Sequence, residues 1–376
     1  MKIALLSTFD AENINTWSGI PHSIIAKLRL EHTVDVIEIS LKQNILSFFK
    51  RIWFNKILKK QYFIIYDKSV VKKNSKQINA KLNNKYDLII SFQFYLLCYV
   101  NGKKILITDA TFDNLKDYYF NSKLYSQYCL SNANALYKQC IEENFISIFS
   151  SDWARQSAKD VYKGSPEKLF TIPFGANLTY IPTVEKVEQL VANKLEDEEF
   201  RLLFLGAFWE RKGGIEAIEV VRNLNNLGVK CKLIIVGCSP QLPDGLNEHA
   251  EIIGFLRKED KNENERLHFI LATSHALLLP SLAECAACVY AEANAYGLPA
   301  IGKNTGGVGT IIRNNVNGLL IGNEETDAEL AIRLKNILLN RDIYKEMCLQ
   351  SKKEYEQRLN YDVFYTDFMK IIKKKL

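Results

Sequence analysis

The chain has 376 residues, of which 47% are hydrophobic and 24% charged, and its formal net charge is +6. This composition excludes a disordered or fibrous chain, and the length suits two domains rather than one. The mild basic excess is compatible with anionic partners such as nucleotides, lipid surfaces or phosphorylated acceptors. It gives little support to nucleic acid, because no recognition motif accompanies it.

The N-terminal half predicts alternating strands and helices. Residues 3–7 and 34–39 are predicted strands around a helix at 21–30, which follows a loop containing Trp17, Ser18 and Gly19. The apolar runs are continuous rather than alternating, as in a parallel sheet that is covered on both faces. Further strands are predicted at 86–91, 104–107, 146–150 and 169–173.

A second α/β series follows an acidic, polar segment at 182–199, which we interpret as an interdomain connection. A helix is predicted at 214–227, and the chain is predicted to be helical from 328 onward. The expected fold is therefore two parallel α/β domains in tandem with a cleft between them. The strands of this series are predicted at 201–206, 231–237, 251–253, 276–279 and 299–301.

Two glutamates eight positions apart, Glu284 and Glu292, flank the start of a predicted helix. A glutamate before a helix N-terminus lies beside unpaired backbone amides, which suit a diphosphate. The second glutamate, about two turns further on, suits ribose or sugar hydroxyls. By spacing alone such a pair is more typical of solvated helix charges, so the surrounding sequence has to support the interpretation.

Glycines follow the last short strand of the second series. Gly306 and Gly307 come at its carboxyl end, where open α/β sheets bind ligands and where glycine allows a phosphate to approach the backbone. The spacing is not that of a dinucleotide fingerprint, and no acidic residue stands at the usual offset, which argues against an oxidoreductase.

A basic loop follows the first strand of the second series. Gly206 ends that strand, and the adjacent cations Arg211 and Lys212 precede a helix that opens with two glycines. An arginine–lysine pair at such an entrance neutralises a diphosphate leaving group. The alternative is a solvated basic loop, which is weakened because the glutamate pair follows another strand of the same domain.

Together these motifs resemble the retaining glycosyltransferases of family four, which have the GT-B fold of two Rossmann-like parallel-sheet domains facing across a cleft. The resemblance rests on the Gly-x4-Arg-Lys-Gly loop, the Glu-x7-Glu element, the Gly-Leu-Pro strand at 297–299, the Gly-Gly turn and residues 317–320. In the N-terminal half, 108–112, 150–154 and 173–177 resemble the subgroup with an Asp-Ala-Thr motif. Only residues 41–84 stay unaligned.

The resemblance implies an N-terminal acceptor-side domain at 1–180, a donor domain at 181–355 and a C-terminal helix at 356–376 that packs back on the first domain. It places Arg211 and Lys212 on the donor diphosphate, Glu284 on the transferred sugar and Glu292 on the nucleotide ribose. Asp109 stands where many members have histidine, and it would accept a hydrogen bond from donor sugar or acceptor. A loop Asp forming its own turn is the alternative. The remaining donor-binding positions are Ser18, Gly19, Gly206, Ala287, Cys288, Val289, Thr305, Gly306 and Gly307.

The sequence departs from the family pattern in two further places. Cys285-Ala286-Ala287 replaces a common Phe-Gly stretch, and Gly309-Thr310 replaces a Pro-Glu pair after the Gly-Gly turn. The function we predict is transfer of a sugar from a nucleotide-diphosphate donor to a glycan or lipid-linked acceptor, with retention and without a metal. A catalytically silent GT-B protein that binds nucleotide or a partner is the alternative. A GT-B epimerase or phosphorylase is a third reading.

The resemblance favours a UDP-sugar as co-substrate, and we expect no cofactor and no nucleic-acid partner. Segment 45–60 combines aromatic, aliphatic and cationic residues. We interpret it as a basic amphipathic helix, which either lies on a membrane surface or packs on the N-terminal sheet. The opening apolar run is too short for a secretory signal, and no stretch approaches the ~18 residues of a membrane span. The expected location is therefore cytoplasmic, and attachment at the inner face of the membrane stays open as the alternative.

Overall fold

Each half of the chain forms a six-stranded parallel sheet in the computed structural model, which describes residues 1–376. The contacts divide the chain into two units. The N-terminal unit comprises residues 1–173 and 365–376, and the C-terminal unit comprises residues 174–364. Each unit has its own apolar core, built from strand residues and the helices that cover them.

In the N-terminal unit the strands lie in the order β2-β1-β3-β4-β5-β6. Their central residues are branched and apolar, and β4 is buried along its whole length, as predicted for a sheet covered on both faces. The strands are β1 Lys2–Ser7, β2 Thr33–Glu38, β3 Leu88–Ser91, β4 Lys104–Thr108, β5 Ile146–Phe149 and β6 Leu169–Thr171. The helices are α1 Ile20–Leu28, α2 Ile45–Ile52, α3 Lys68–Leu82, α4 Phe112–Leu115, α5 Gln127–Glu143 and α6 Asp152–Asp160.

In the C-terminal unit the strand order is β12-β11-β10-β7-β8-β9. The strands are β7 Phe200–Leu205, β8 Cys231–Val236, β9 Ala250–Gly254, β10 Ala276–Leu279, β11 Ala300–Lys303 and β12 Gly318–Ile321. The helices are α7 Val184–Lys194, α8 Gly214–Asn226, α9 Lys261–Thr273, α10 Cys288–Ala295, α11 Val308–Ile311, α12 Asp327–Leu338 and α13 Arg341–Arg358. The last helix, α14 Tyr361–Lys375, supplies residues 365–376 to the N-terminal unit.

Parallel pairing explains how distant loops meet in the C-terminal unit. Strands β7 and β10 are neighbours although about 70 residues separate them, and Leu203 pairs with Leu277. Strand β11 lies on the other side of β10. Because parallel strands end at the same edge, the loops after β7, β10 and β11 come together at the carboxyl edge of the sheet.

Three expectations need correction. The segment at 182–199 is not a simple connection, because α7 lies within it and buries Val187 and Val191 in the C-terminal core. The predicted helix at 45–60 is α-helical only to Ile52, after which Trp53–Ile57 form a π-helical turn. Strand β12 was not predicted as a strand. None of the helices has the combined length and apolar character needed to cross a membrane.

Candidate active site

The loop between β7 and α8 carries the two adjacent cations. Trp209 anchors this loop by packing against Phe204, with ring centroids 4.9 Å apart, and a Cβ at Gly214 would lie 2.1 Å from the Trp209 ring. The amide of Lys212 donates to the carbonyl of Phe208 at 2.9 Å. The loop is therefore folded back on the sheet, and it holds Arg211 and Lys212 at the carboxyl edge.

Gly213 closes this loop against the end of β10. Its φ is +73°, a left-handed conformation that favours glycine, and a Cβ there would lie 2.2 Å from the carbonyl oxygen of Pro280. The amide of Leu282 also donates to the carbonyl of Arg211 at 2.9 Å. The two loops are thus joined through their backbones, which fixes the cations relative to the segment that precedes α10.

Glu284 joins both cations in a largely buried cluster. Its carboxylate forms an ion pair with the ammonium of Lys212 and lies 3.7 Å from the Arg211 guanidinium. Only 5% of Glu284 and 8% of Lys212 is exposed. Arg211 also donates to the carbonyl of Ala283 at 2.8 Å. Two cations and one carboxylate leave this cluster with a formal charge of +1, which suits an anionic ligand.

The Gly-Gly turn meets the same cluster. Gly306 has a φ of +53°, and the amide of Gly307 donates to the carbonyl of Glu284 at 3.2 Å. The amide of Val308 donates to the carbonyl of Thr305 at 3.1 Å and closes the turn. The structure therefore brings the Gly-Gly turn, Glu284 and the two cations together, as the motif positions predicted. On the other side, the side chain of Lys212 packs over Gly206, where an added Cβ would lie 3.3 Å from Lys212 Cγ.

Helix α10 begins beside this cluster. Its first residue is Cys288, and the preceding residue, Ala287, provides no side-chain cap for the N-terminal amides. The segment before it is buried, with 4% of Cys285 and 7% of Ala286 exposed. The altered segment therefore forms a tight wall of small side chains, and Val289 lies in the first turn behind it.

Glu292 has a partner that the sequence analysis missed. The ammonium of Lys258 lies 2.8 Å from the Glu292 carboxylate and also donates to the carbonyl of Asn177 at 2.8 Å. Only 5% of Glu292 is exposed. Lys258 comes four residues after β9, at the carboxyl edge of the same sheet. The position after a strand could have identified Lys258 as a site residue, but the charges of both signs around it gave no distinct pattern.

Ser281 is a second residue that sequence reasoning missed. It follows β10 by two residues and is fully buried, and its hydroxyl has no hydrogen-bond partner in the structure. Buried hydroxyl groups are normally hydrogen-bonded, so a lone one calls for an explanation. Its place between the basic loop and Glu284 makes it a further polar group at this edge.

In the N-terminal unit, the loop before α1 has an unusual backbone. Trp17, Ser18 and Gly19 have φ values of +46°, +55° and +79°. Two of them are not glycine, so the loop holds a conformation that L residues rarely adopt. Such conformations persist only where the surrounding structure imposes them, and they cluster at functional sites. Ser18 and Gly19 therefore lie in a shaped loop rather than an ordinary helix entrance.

An aromatic cavity of about 480 Å³ lies beside this loop, within the N-terminal unit. Trp17 and Asp109 both line it, and Asp109 directly follows β4. Polar groups at its wall are linked: Gln93 donates to the Thr8 hydroxyl at 2.7 Å and accepts from the Thr8 amide at 2.9 Å. The aromatic side chains that line the cavity are Phe9, Trp17, Tyr66, Phe92, Phe94, Tyr95, Phe112 and Tyr137.

The predicted site residues thus form two groups. The C-terminal unit gathers Arg211, Lys212 and Glu284 with the turn after β11 and the start of α10, and it places Glu292 within α10. The N-terminal unit gathers the loop before α1 and Asp109 around the aromatic cavity. No group of three or more His, Cys, Asp or Glu side chains is arranged to hold a metal ion.

Comparison with known sequences finds a family match for part of the chain. Residues 186–354 match the family model of the group 1 glycosyl transferases. A D-inositol 3-phosphate glycosyltransferase of Nocardia farcinica is 25% identical over 223 residues, which cover 57% of this chain and 49% of the relative. A UDP-Gal:alpha-D-GlcNAc-diphosphoundecaprenol alpha-1,3-galactosyltransferase of Escherichia coli is 26% identical over 185 residues, or 45% of each chain. The matches span about half the length of these curated relatives.

Comparison with solved structures extends over the whole chain. The structure of Anabaena HepE in complex with UDP superposes on this chain with a TM-score of 0.66 and 16% sequence identity. The superposition covers 100% of both chains. At that identity the likeness shows the fold alone. Residues 186–354 are therefore similar to the group 1 glycosyl transferases, and the chain as a whole has the GT-B fold.

Proposed function

We propose that the chain is a glycosyltransferase that moves a sugar from a nucleotide-diphosphate donor, with a UDP-sugar as the first candidate, to a glycan or lipid-linked acceptor. The observation that carries this proposal is the cluster of Arg211, Lys212 and Glu284 at the carboxyl edge of the C-terminal sheet. Two relatives support it by their names, since one acts on a UDP-galactose donor and one structural neighbour is a UDP complex.

The diphosphate is bound by positive charge from three directions. Lys212 is largely buried and fixed by its carboxylate partner, so its ammonium loses little freedom when an anion arrives. Arg211 is about a third exposed, which leaves its guanidinium accessible to a phosphate. The N-terminal amides of α10 have no side-chain cap, and they add the partial positive charge of a helix start.

These groups also favour departure of the leaving group. Charge builds up on the diphosphate as its bond to the sugar breaks, and donors that are already in place stabilise it most effectively. In this proposal the two cations and the helix supply that stabilisation without a metal ion, and undiminished activity in the presence of a chelator is the expected result. The acceptor hydroxyl attacks on the leaving-group side, which gives retention of anomeric configuration.

The two glutamates have separate roles in this proposal. Glu284 lies against the cations, where it orients Lys212 and contacts the transferred sugar. Glu292 accepts hydrogen bonds from the ribose, and Lys258 holds its carboxylate in place.

The acceptor side is assigned to the N-terminal cavity. Its aromatic walls suit the apolar faces of a sugar ring, and Asp109 at its wall suits a hydroxyl that must be oriented for attack. Trp17, from the left-handed loop before α1, lines the same cavity.

A thermal-shift panel of nucleoside diphosphates and their sugars tests the proposal. A ligand present at 100 times its Kd adds about 2.7 kcal/mol to the stability of the protein that binds it. We expect uridine compounds to raise the melting temperature of the wild type and not of Arg211→Ala or Glu292→Ala. Arg257→Ala, which removes an exposed arginine of the same unit, is the matched control and keeps the shift. Absence of any shift in the wild type would contradict the proposal and favour a silent GT-B protein.

A further inference from the structure

Helix α2 and the π-helical turn after it expose an unusual number of large apolar side chains. Fractional exposure reaches 79% at Ile45, 62% at Phe49 and 53% at Trp53. Soluble monomers rarely leave such a contiguous apolar area in water unless something covers it. The full set, which we call the apolar ridge, is Ile45, Leu46, Phe48, Phe49, Ile52, Trp53, Ile57 and Leu58.

The ridge is anchored to the N-terminal unit by a buried polar network. Asp67 is fully buried and accepts hydrogen bonds from Lys50 at 3.0 Å, Tyr62 at 2.6 Å and Tyr128 at 3.1 Å. Burial acts to raise the pKa of the Asp67 carboxyl. Hydrogen bonds from Ser69, Tyr62 and Lys50 outweigh that effect and bring its pKa well below the usual range.

Further contacts fix the ridge at both ends. Ser47 and Asn44 cap each other at the start of α2, and Ser47 is fully buried. At the other end, the Phe54 ring packs against both Tyr62 and Tyr128, with centroids 5.8 and 5.7 Å away. The exposure of the ridge is therefore a feature of the folded unit, not of a frayed segment.

The charges of the ridge segment itself have one sign. No acidic residue occurs between Leu41 and Tyr66, whereas Arg51, Lys56 and Lys59 are exposed. Lys50 differs from them, because its ammonium is held by the buried Asp67. We therefore assign Lys50 to the anchor and the exposed cations to the surface.

A basic groove of about 490 Å³ adjoins the ridge and shares Phe54 and Tyr128 with the apolar hollow between the ridge side chains. Three lysines line it, Lys60, Lys116 and Lys123, and none of its lining residues is a carboxylate. Hydroxyl and amide groups of Ser122 and Gln127 complete its wall. An apolar ridge beside a groove of lysines matches the two layers of a lipid surface, with acyl chains next to phosphates.

From this arrangement we propose that the apolar ridge docks on an anionic bilayer and that the groove of Lys60, Lys116 and Lys123 takes lipid headgroup phosphates. A second copy of the chain is disfavoured as the occupant, because ridge-to-ridge contact would bring cations of like sign together. The docking surface stands independently of the donor site. Its consequence, a lipid-linked acceptor presented at the membrane, rests on the proposed function.

Vesicle binding by the full chain tests the proposal. We expect co-sedimentation with vesicles of phosphatidylglycerol and phosphatidylcholine, and little with phosphatidylcholine alone. Each cation near an anionic surface contributes about fivefold to the affinity, so Lys116→Glu/Lys123→Glu lowers it by at least an order of magnitude. The matched control, Lys345→Glu/Lys353→Glu, changes two exposed lysines of α13 and keeps binding within a few fold.

The apolar part has its own pair of variants. Phe49→Ser/Trp53→Ser abolishes binding, whereas Phe255→Ser/Phe269→Ser, which changes two exposed aromatic residues of the C-terminal unit, retains it. In the wild type, brominated lipid quenches part of the tryptophan fluorescence, and this part disappears in Trp53→Ala. Binding weakens as salt is added, because the groove charges are exposed to screening.

Two results would overturn the proposal. One is wild-type binding that does not distinguish anionic from neutral vesicles or is unaffected by the ridge variant. The other is a concentration-dependent dimer without lipid that Phe49→Ser/Trp53→Ser dissolves, since the ridge would then be an interface between copies. Nucleotide thermal shifts on the same variants separate the two proposals, because the ridge and groove changes leave donor binding intact.

Discussion

The two units share one architecture and differ in what their loops present. In the C-terminal unit, charged side chains meet in buried pairs at the ends of strands, as in Lys212 with Glu284 and Lys258 with Glu292. In the N-terminal unit, the corresponding edge carries an aromatic cavity, and a neighbouring surface carries the apolar ridge. The difference teaches that chemistry resides in the loops grafted on a fold and not in the sheet. A charged edge suits a nucleoside diphosphate, and an aromatic edge suits the apolar face of a sugar ring.

The largest effect is expected when a charge is removed from the carboxyl edge of the C-terminal sheet. Lys212→Met keeps much of the side-chain volume and deletes the ammonium, so stabilisation of the leaving group is lost and Glu284 stays buried without this partner. Loss of one such preorganised group lowers kcat by about 100- to 1,000-fold. Donor turnover measured at saturating donor checks this expectation. Arg257→Ala retains the wild-type rate, and an unchanged rate in Lys212→Met would remove the cluster from the mechanism.

A change on the aromatic side should separate binding from transfer. Asp109→Asn removes the carboxylate at the cavity wall, so we expect transfer to slow by about 10- to 100-fold while nucleotide affinity stays unchanged. Calorimetric titration with UDP and a rate assay on the same sample measure the two quantities. Asp160→Asn, an exposed change in α6, is the control. A loss of UDP affinity in Asp109→Asn would contradict the division between the two edges.

Glycine-to-alanine substitutions test the contact between the loops after β7 and β10. Gly213→Ala places a Cβ against Pro280 in a left-handed conformation, and we expect a loss of about 3 kcal/mol in the free energy of unfolding. Gly228 has a φ of +81° but no atom within 4 Å of an added Cβ, so Gly228→Ala costs about 1 kcal/mol. Urea denaturation monitored by circular dichroism compares them. Equal losses would show that the close approach to Pro280 has no energetic importance.

A smaller effect concerns pH and the C-terminal core. Burial, together with the charges of Lys194 and Arg201, lowers the pKa of His275 to about 4, and Asp197 only partly opposes this. The Arg201 amide donates to His275 Nδ1 at 3.0 Å, so the folded state favours the neutral form of the imidazole. The stabilisation is present above the unfolded pKa near 6.5 and is lost as the pH falls toward 4.

Between pH 7 and pH 5 we therefore expect a loss of about 1 to 2 kcal/mol that is attributable to His275. Denaturation curves at several pH values measure it, and His275→Gln should show a shallower decline. His22→Gln serves as the control and retains the wild-type slope. A wild-type slope in His275→Gln would show that the buried ring does not govern this range.

The sequence predicted much of the fold because continuous apolar runs such as β4 and β8 have few alternatives to a buried parallel strand. It also put Arg211, Lys212 and Glu284 after strands of the same domain, and the loops at the carboxyl ends of parallel strands share an edge. The His275 ring is fully buried in the C-terminal core and contacts both Phe200 and Tyr344. These predictions rest on local patterns and on the geometry of parallel sheets.

The rest depends on contacts between residues far apart in the chain. Lys258 pairs with Glu292 across 34 positions, and its mixed neighbours gave no signal of that partner. Helix α7 opens an acidic segment, and its burial follows from the fit of Val187 and Val191 into a core formed elsewhere. The aromatic cavity is likewise lined by residues from several loops, so no single sequence motif predicts it.

The most direct test of the account follows donor turnover by the wild type with proton NMR. The protein is incubated with an α-linked UDP-sugar, with and without lipid-linked glycan acceptors, and the configuration of the newly formed linkage or released sugar is read from its anomeric signal. The account predicts release of UDP and an initial α product, both absent in Lys212→Met. Binding of UDP without any turnover would identify a silent GT-B protein and contradict the central claim.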